Sequence, residues 1–287
     1  MQYIAARTAE EAVSALAAER GAARVLAGGT DILVQMKSGA VEPALVVDIK
    51  RIAGFRSIVA EAGGFRVGAA VSGAEIGEHA GLCALWPGVA EAVQLIGSTQ
   101  VQGRCTMAGN LCNASPAADS VPALVAAGAI ARILGPEGQR DCPVADIPAG
   151  PGRTNLRKGE IITSILLPAR PERAGDAYLR FIPRTEMDIA VASAAVSLEL
   201  AKDGTVRTAR IALGAVAPTV VLAGEAAQAL VGSRLEEAAL ARMAASCEAA
   251  CNPIDDKRGT AAFRRHTAGV LARRAARIAY DRAGGSR

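Results

Sequence analysis

A chain of 287 residues with 51% apolar side chains has enough material for two or three modest domains with proper cores and is not of disordered composition. Its 32 basic and 28 acidic side chains are intermixed and leave a formal net charge of +4, which excludes the dense basic footprint of a nucleic-acid binder. Aromatic residues make up only 3%, so a bound ligand must rest mainly on backbone and aliphatic contacts.

In chain order, Thr8 and Glu11 have capping-box spacing, and Ala12 and Leu16 carry it into an amphipathic helix. A short apolar run, Arg24-Val25-Leu26-Ala27, reads as a strand ending at Gly28-Gly29, followed by a helix over residues 31–37 and a second strand over 44–49. The first fifty residues therefore form a small α/β unit. Residues 57–61 and 65–70 flank Gly63-Gly64 and predict a tight hairpin. Ser72 and Glu75 make another capping box, and Pro87 opens a helix running to Ile96. Residues 97–115 read as a loop, long for a structureless connection and therefore a functional suspect.

Beyond Pro116 come a buried apolar helix and strands over residues 130–134 and 161–167. The polar segment Pro171-Glu172-Arg173-Ala174-Gly175-Asp176 reads as a boundary. The remainder predicts strands over 189–200 and 206–216 about an Asp203-Gly204 turn, then two helices over 235–251 and 258–281.

The six cysteines, Cys83, Cys105, Cys112, Cys142, Cys247 and Cys251, contain no CxxC pair. With no signal peptide and no apolar run of about 18 residues, they read as reduced thiols of a cytoplasmic protein without stable membrane insertion. Cys247 and Cys251, four apart, supply only half of a usual metal site and read as small core residues. His79 and His266 read as surface or interface residues, and Asp255 and Asp256 as helix-capping carboxylates. Arg264, Arg265, Arg273, Arg274 and Arg277 form a solvated or partner-facing stripe.

GxGxxG is absent, so a nucleotide phosphate would need another cradle. Two segments suit it. Leu26, Ala27, Gly28, Gly29, Thr30, Asp31, Ile32 and Leu33 take a strand sharply into a helix, where paired glycines let a ligand approach and helix-start N–H groups point at an anion. Thr106, Met107, Ala108, Gly109 and Asn110, continuing to Ser115 and Pro116, pack small residues, hydroxyls and amides before a helix.

These two segments, with Ser115-Pro116-Ala117-Ala118-Asp119, Gly159-Glu160-Ile161-Ile162, Met187-Asp188-Ile189-Ala190 and Pro253-Ile254-Asp255-Asp256-Lys257-Arg258-Gly259, resemble the FAD-binding medium subunit of the xanthine dehydrogenase and carbon monoxide dehydrogenase family, the molybdenum hydroxylases. The likeness runs from near residue 1 to near residue 280. It implies an α+β chain: a two-lobed vanillyl-alcohol-oxidase-type (PCMH-type) FAD-binding region over 1–173, with lobes 1–55 and 56–173, and a smaller α+β domain over 177–285. It implies that the backbones of Ala27 to Leu33 and of Thr106 to Asn110 embrace the FAD pyrophosphate, that Asp119 meets the adenosine side and that Ile162 contacts the adenine region. Ile189 would pack near the isoalloxazine, and Ile96 and Arg180 match positions held by Phe and Lys in the mammalian xanthine enzymes.

Partners are implied too: a small subunit with two 2Fe-2S clusters and a large molybdopterin-binding subunit, in a dimer of heterotrimers. The chain itself would hold no metal and no catalytic acid or base, and would relay electrons to NAD, a quinone or another acceptor. A stand-alone flavin oxidase or reductase and a flavin-less assembly subunit are the alternatives. The family's Gly-Thr-Ile-Gly-Gly-Asn stands here as Cys105-Thr106-Met107-Ala108-Gly109-Asn110, with a methyl at 108 where the family has none.

Overall fold

The computed structural model describes residues 1–285. The chain opens with β1 (Gln2–Ala5), α1 (Ala9–Ala18), β2 (Ala23–Leu26), α2 (Ile32–Lys37) and β3 (Leu45–Asp48). The strands form a parallel sheet in the order β1-β3-β2, with α1 and α2 as the crossovers that parallel neighbours require. At α1 only half of the expected box is made. Thr8 Oγ1 accepts the Glu11 N–H at 3.1 Å, but the Glu11 carboxylate takes the N–H of Arg7 at 2.8 Å.

Next come β4 (Ile58–Glu61) and β5 (Gly64–Gly68). Their turn is centred on Ala62 and Gly63, with φ of 50° and 80°, and not on Gly63-Gly64 as the sequence predicts. Gly64 is needed in the strand, because a Cβ there would lie 2.1 Å from the Leu167 carbonyl oxygen. Six short helices follow: α3 (Gly73–Glu78), α4 (Ala80–Leu85), α5 (Pro87–Gln94), α6 (Thr99–Gln102), α7 (Met107–Asn113) and α8 (Ser120–Ala126). At α3 the Ser72–Glu75 box closes in both directions. The suspected loop over 97–115 is therefore largely helical, in two pieces too short for periodicity to reveal.

Strands β6 (Ile130–Gly135), β7 (Gly138–Pro143) and β10 (Ile161–Leu167) complete an antiparallel sheet in the order β4-β5-β10-β6-β7, and β8 (Pro148–Gly150) pairs with β9 (Arg153–Thr154). A second antiparallel sheet runs β11 (Ala174–Phe181), β12 (Ala192–Leu200), β13 (Val206–Gly214) and β14 (Val221–Leu222). Its β11 takes in Ala174, Gly175 and Asp176, residues whose polarity had marked them as linker. Asp176 is instead buried and ion-paired to Arg170 at 2.7 Å. Helices α9 (Gly224–Gln228), α10 (Glu237–Ala250) and α11 (Ala261–Arg282) close the chain, α11 lying along β11 and β12.

Two apolar cores result. One joins the parallel unit, the five-stranded sheet and α3 to α8, and the other joins the second sheet to the C-terminal helices. Cys247 and Cys251 belong to the second core, where burial pushes their thiols up to about 12 and about 11. The arginine stripe is not uniform. Arg264 is only 4% exposed; its guanidinium donates to the carbonyls of Val191 and Ala215 and to Asp256, tying α11 to the ends of β12 and β13. His79 is likewise structural, its Nδ1 accepting the Leu82 N–H at the start of α4. Among the described residues no helix is long and apolar enough to cross a membrane.

Candidate functional site

The two cradle segments, some eighty residues apart in sequence, meet in the fold. Gly28 packs so closely on the chain leading into α7 that a Cβ at this position would stand 1.9 Å from the Arg104 carbonyl oxygen. Only glycine permits this backbone-on-backbone approach. A second tie runs from Gln35 of α2, whose Nε2 donates to Asn113 Oδ1 of α7 at 3.0 Å.

In the first segment, Leu26 and Ala27 are buried at the end of β2, and the Ala27 carbonyl accepts a hydrogen bond from Lys50 Nζ at 3.1 Å. Lys50 also pairs with Asp48 at 2.8 Å, and Tyr3 donates to that carboxylate at 2.7 Å. Burial raises the Asp48 carboxyl, but these donors outweigh it and hold it below its ordinary value. Gly29 turns the chain with φ of +86°, and the first amide taken up by α2 is that of Leu33, on the Gly29 carbonyl. Among the described residues no acceptor takes the N–H groups of Gly29, Thr30, Asp31 and Ile32. Asp31 occupies the cap position without making a capping bond, and Leu33 is 52% exposed.

In the second segment Thr106 caps α7, accepting the Gly109 N–H at 2.9 Å, while Met107 and Ala108 are buried. The Ala108 methyl is part of the first core. Asn110 is oriented by Ser120, whose N–H and hydroxyl both donate to its Oδ1. Cys105, just ahead, is buried, and its thiol is pushed up to about 11 by that burial, so it stays protonated at neutral pH.

Further along, Asp119 is 8% exposed and both of its oxygens are engaged: Tyr178 Oη donates to Oδ1 at 2.9 Å and Arg180 Nη1 to Oδ2 at 2.7 Å. Ile96 and Ile162 are packed into the first core. Ile189 is 50% exposed and, with Ser115, lines a 240 Å³ cavity between residues 115–117 and the C-terminal part. The structure thus joins the two segments, pairs Asp119 with Arg180 and puts Ser115 beside Ile189. No polar contact links Ile96 or Ile162 to these groups.

A pair of helix starts with unpaired amides, pressed together through a glycine that tolerates no side chain, fits a bridging diphosphate better than a carboxylate or metal ligand. Comparison with known proteins shows the family. The family profile described as "FAD binding domain in molybdopterin dehydrogenase" matches residues 1–170, and "CO dehydrogenase flavoprotein C-terminal domain" matches 177–279. The chain belongs to the FAD-binding medium-chain family of the carbon monoxide and xanthine dehydrogenases.

It is 35% identical over 261 residues to the carbon monoxide dehydrogenase medium chain of Afipia carboxidovorans, covering 91% of this chain and 90% of that one. It is 30% identical over 285 residues to the xanthine dehydrogenase FAD-binding subunit of Escherichia coli O157:H7, covering 99% and 97%. The fold matches reconstituted CO dehydrogenase from Oligotropha carboxidovorans with a TM-score of 0.94, at 33% identity and 98% coverage of each chain. Quinoline 2-oxidoreductase from Pseudomonas putida 86 matches with a TM-score of 0.91 at 26% identity, covering 99% and 98%. The family expected from the motifs and its α+β architecture are both confirmed.

Lys50, Gln35 and Tyr178 were not singled out in the sequence. Lys50 is two residues past the buried Asp48 at a strand end, a usable hint; Tyr178 alternates with Arg180 along one strand, but β11 itself was hidden by its polar start.

Proposed function

We propose that this chain holds FAD non-covalently, with the pyrophosphate between the starts of α2 and α7, and serves as the electron-relay subunit of a heteromeric molybdenum hydroxylase. The observation that carries the reading is the Gly28–Arg104 contact, which turns two separate glycine-containing turns into one site with free amides on both sides. In this reading residues 1–173 hold the cofactor and 177–285 form the C-terminal domain. Backbone amides of Gly29, Thr30, Asp31 and Ile32 and the first turn of α7 bind phosphate, and Asp119 receives ribose hydroxyls. Bound FAD would supply the redox chemistry, storing two electrons; the protein supplies position, electrostatics and shielding from water.

Electrons would arrive from the 2Fe-2S clusters of a small partner subunit and leave to NAD, a quinone or another acceptor. The organic substrate would react at molybdopterin on a large partner subunit, the whole forming a dimer of heterotrimers in the cytoplasm. The resemblance to medium chains along almost the full length supports this arrangement.

Expression of the chain alone, a visible spectrum and heat release of the nucleotide test the cofactor half. Near-stoichiometric FAD is expected, and its absence after reconstitution sinks the reading. Co-purification from the native host tests the other half: cluster-bearing and molybdenum-bearing chains should accompany this one, and turnover by the isolated chain would favour a stand-alone oxidoreductase.

A further inference from the structure

The carboxylate of Asp119 is held from outside its own part of the fold. Asp119 stands at the start of α8 yet makes no capping bond to that helix. Its partners Tyr178 and Arg180 sit two residues apart on β11, hence on one face of the strand. That strand belongs to the C-terminal sheet, whereas Asp119 falls within the FAD-binding match. Both partners are buried with it: Tyr178 is 3% exposed and the Arg180 side chain 6%. A carboxylate offers about four lone-pair sites. One on each oxygen is filled, so its plane is fixed from two sides while each oxygen keeps a site for another donor.

Joining two halves of a protein does not by itself call for this arrangement. A buried ion pair is a weak source of stability and is often matched by apolar packing of the same volume. A carboxylate held in a set orientation with acceptor capacity to spare is instead what a ligand rich in hydroxyls requires.

We propose that Tyr178 and Arg180 are positioning residues that aim the Asp119 carboxylate at the ribose of FAD, so that the C-terminal sheet sets how tightly the N-terminal region holds its cofactor. The inference rests on the reading that Asp119 meets the adenosine side. Arg180 then acts on the cofactor through Asp119, beside the cofactor-binding role that its match to a family lysine implies. Burial raises the Asp119 carboxyl, and the Arg180 charge and the Tyr178 hydroxyl oppose that rise. The same two groups that orient the carboxylate also favour the ionised form that accepts hydroxyl hydrogens. They are the only titratable groups acting on it among the described residues.

The test is FAD titration of the full-length chain, followed by flavin fluorescence across acid to neutral pH, with the melting temperature of the FAD-free protein alongside. Tyr178→Phe, which keeps the ring, should weaken FAD about 5- to 10-fold. The fall in affinity on acidification should also begin at higher pH, because the ionised carboxylate has lost a donor. Arg180→Gln should cost more, about 10- to 100-fold, and Arg180→Lys should recover part of it. Combining Tyr178→Phe with Asp119→Asn should be no worse than Asp119→Asn alone.

Equal affinity in Tyr178→Phe and wild type overturns the proposal, as do additive losses in the double variant. So does a loss that follows a lowered melting temperature with the pH profile unmoved, since that is a structural role. A wild-type chain that takes up no FAD is a different failure: it removes the functional reading and the proposal with it.

Discussion

At the start of α2, Asp31 occupies the cap position without a capping bond and none of the helix's six residues is buried, whereas at the start of α7 Thr106 caps Gly109 and Met107, Ala108 and Leu111 are all in the core. The second helix start has one amide capped by its own Thr106 and is anchored in the core; the first makes no capping bond and leans on its partner through Gly28 and Gln35. The contrast teaches that in the proposed site α7 would be the fixed template and α2 the half that takes its hydrogen bonds from the ligand. Local opening should be easiest where buried contacts are fewest, which is α2.

Gly28→Val is the severest way to break this pairing. Its side chain would have to displace the Arg104 backbone, so FAD should no longer co-purify, and chemical denaturation should show a loss of about 1–3 kcal/mol from overpacking. If FAD content stays near wild type, the two helix starts do not act as one site. Thr106→Ala attacks only the template half. Loss of the cap should cost about 1 kcal/mol in the same denaturation experiment, with FAD weakened in proportion.

Ala108→Gly returns the family residue and sharpens the comparison from the other side. Because the methyl lies in the core, FAD affinity should stay within about threefold, while the FAD-free protein loses ~0.5–1 kcal/mol of helix propensity. A large gain in affinity would mean instead that the methyl obstructs the ligand. Gln35→Ala should have the smallest effect, about 0.5 kcal/mol for one partly exposed hydrogen bond. Hydrogen exchange should then quicken over residues 32–37 and stay unchanged over 107–113.

Much of the first segment was legible because its signals are local: a strand ending in Gly28-Gly29, then helical spacing. The second segment was legible as a cluster of small polar residues but misread as loop, since α6 and α7 are four and seven residues long and offer too few turns for a periodic pattern. Arg264 was misread for a related reason. It stands in a row with exposed and half-buried arginines on α11, and the carbonyls of Val191 and Ala215, brought in by β12 and β13, together with Asp256, make its burial possible.

By itself the sequence determined the α+β class, the family through its linked motifs, the capped helix at Ser72, and the positions of the two candidate turns, because each motif or turn depends on residues within a few positions of one another. Only the tertiary structure decided that Gly28 presses on Arg104, that the Ala108 methyl points into the core, and that Asp119 is gripped by Tyr178 and Arg180. Those facts depend on which backbones are packed together across roughly sixty to eighty residues of chain, and no spacing rule carries that information.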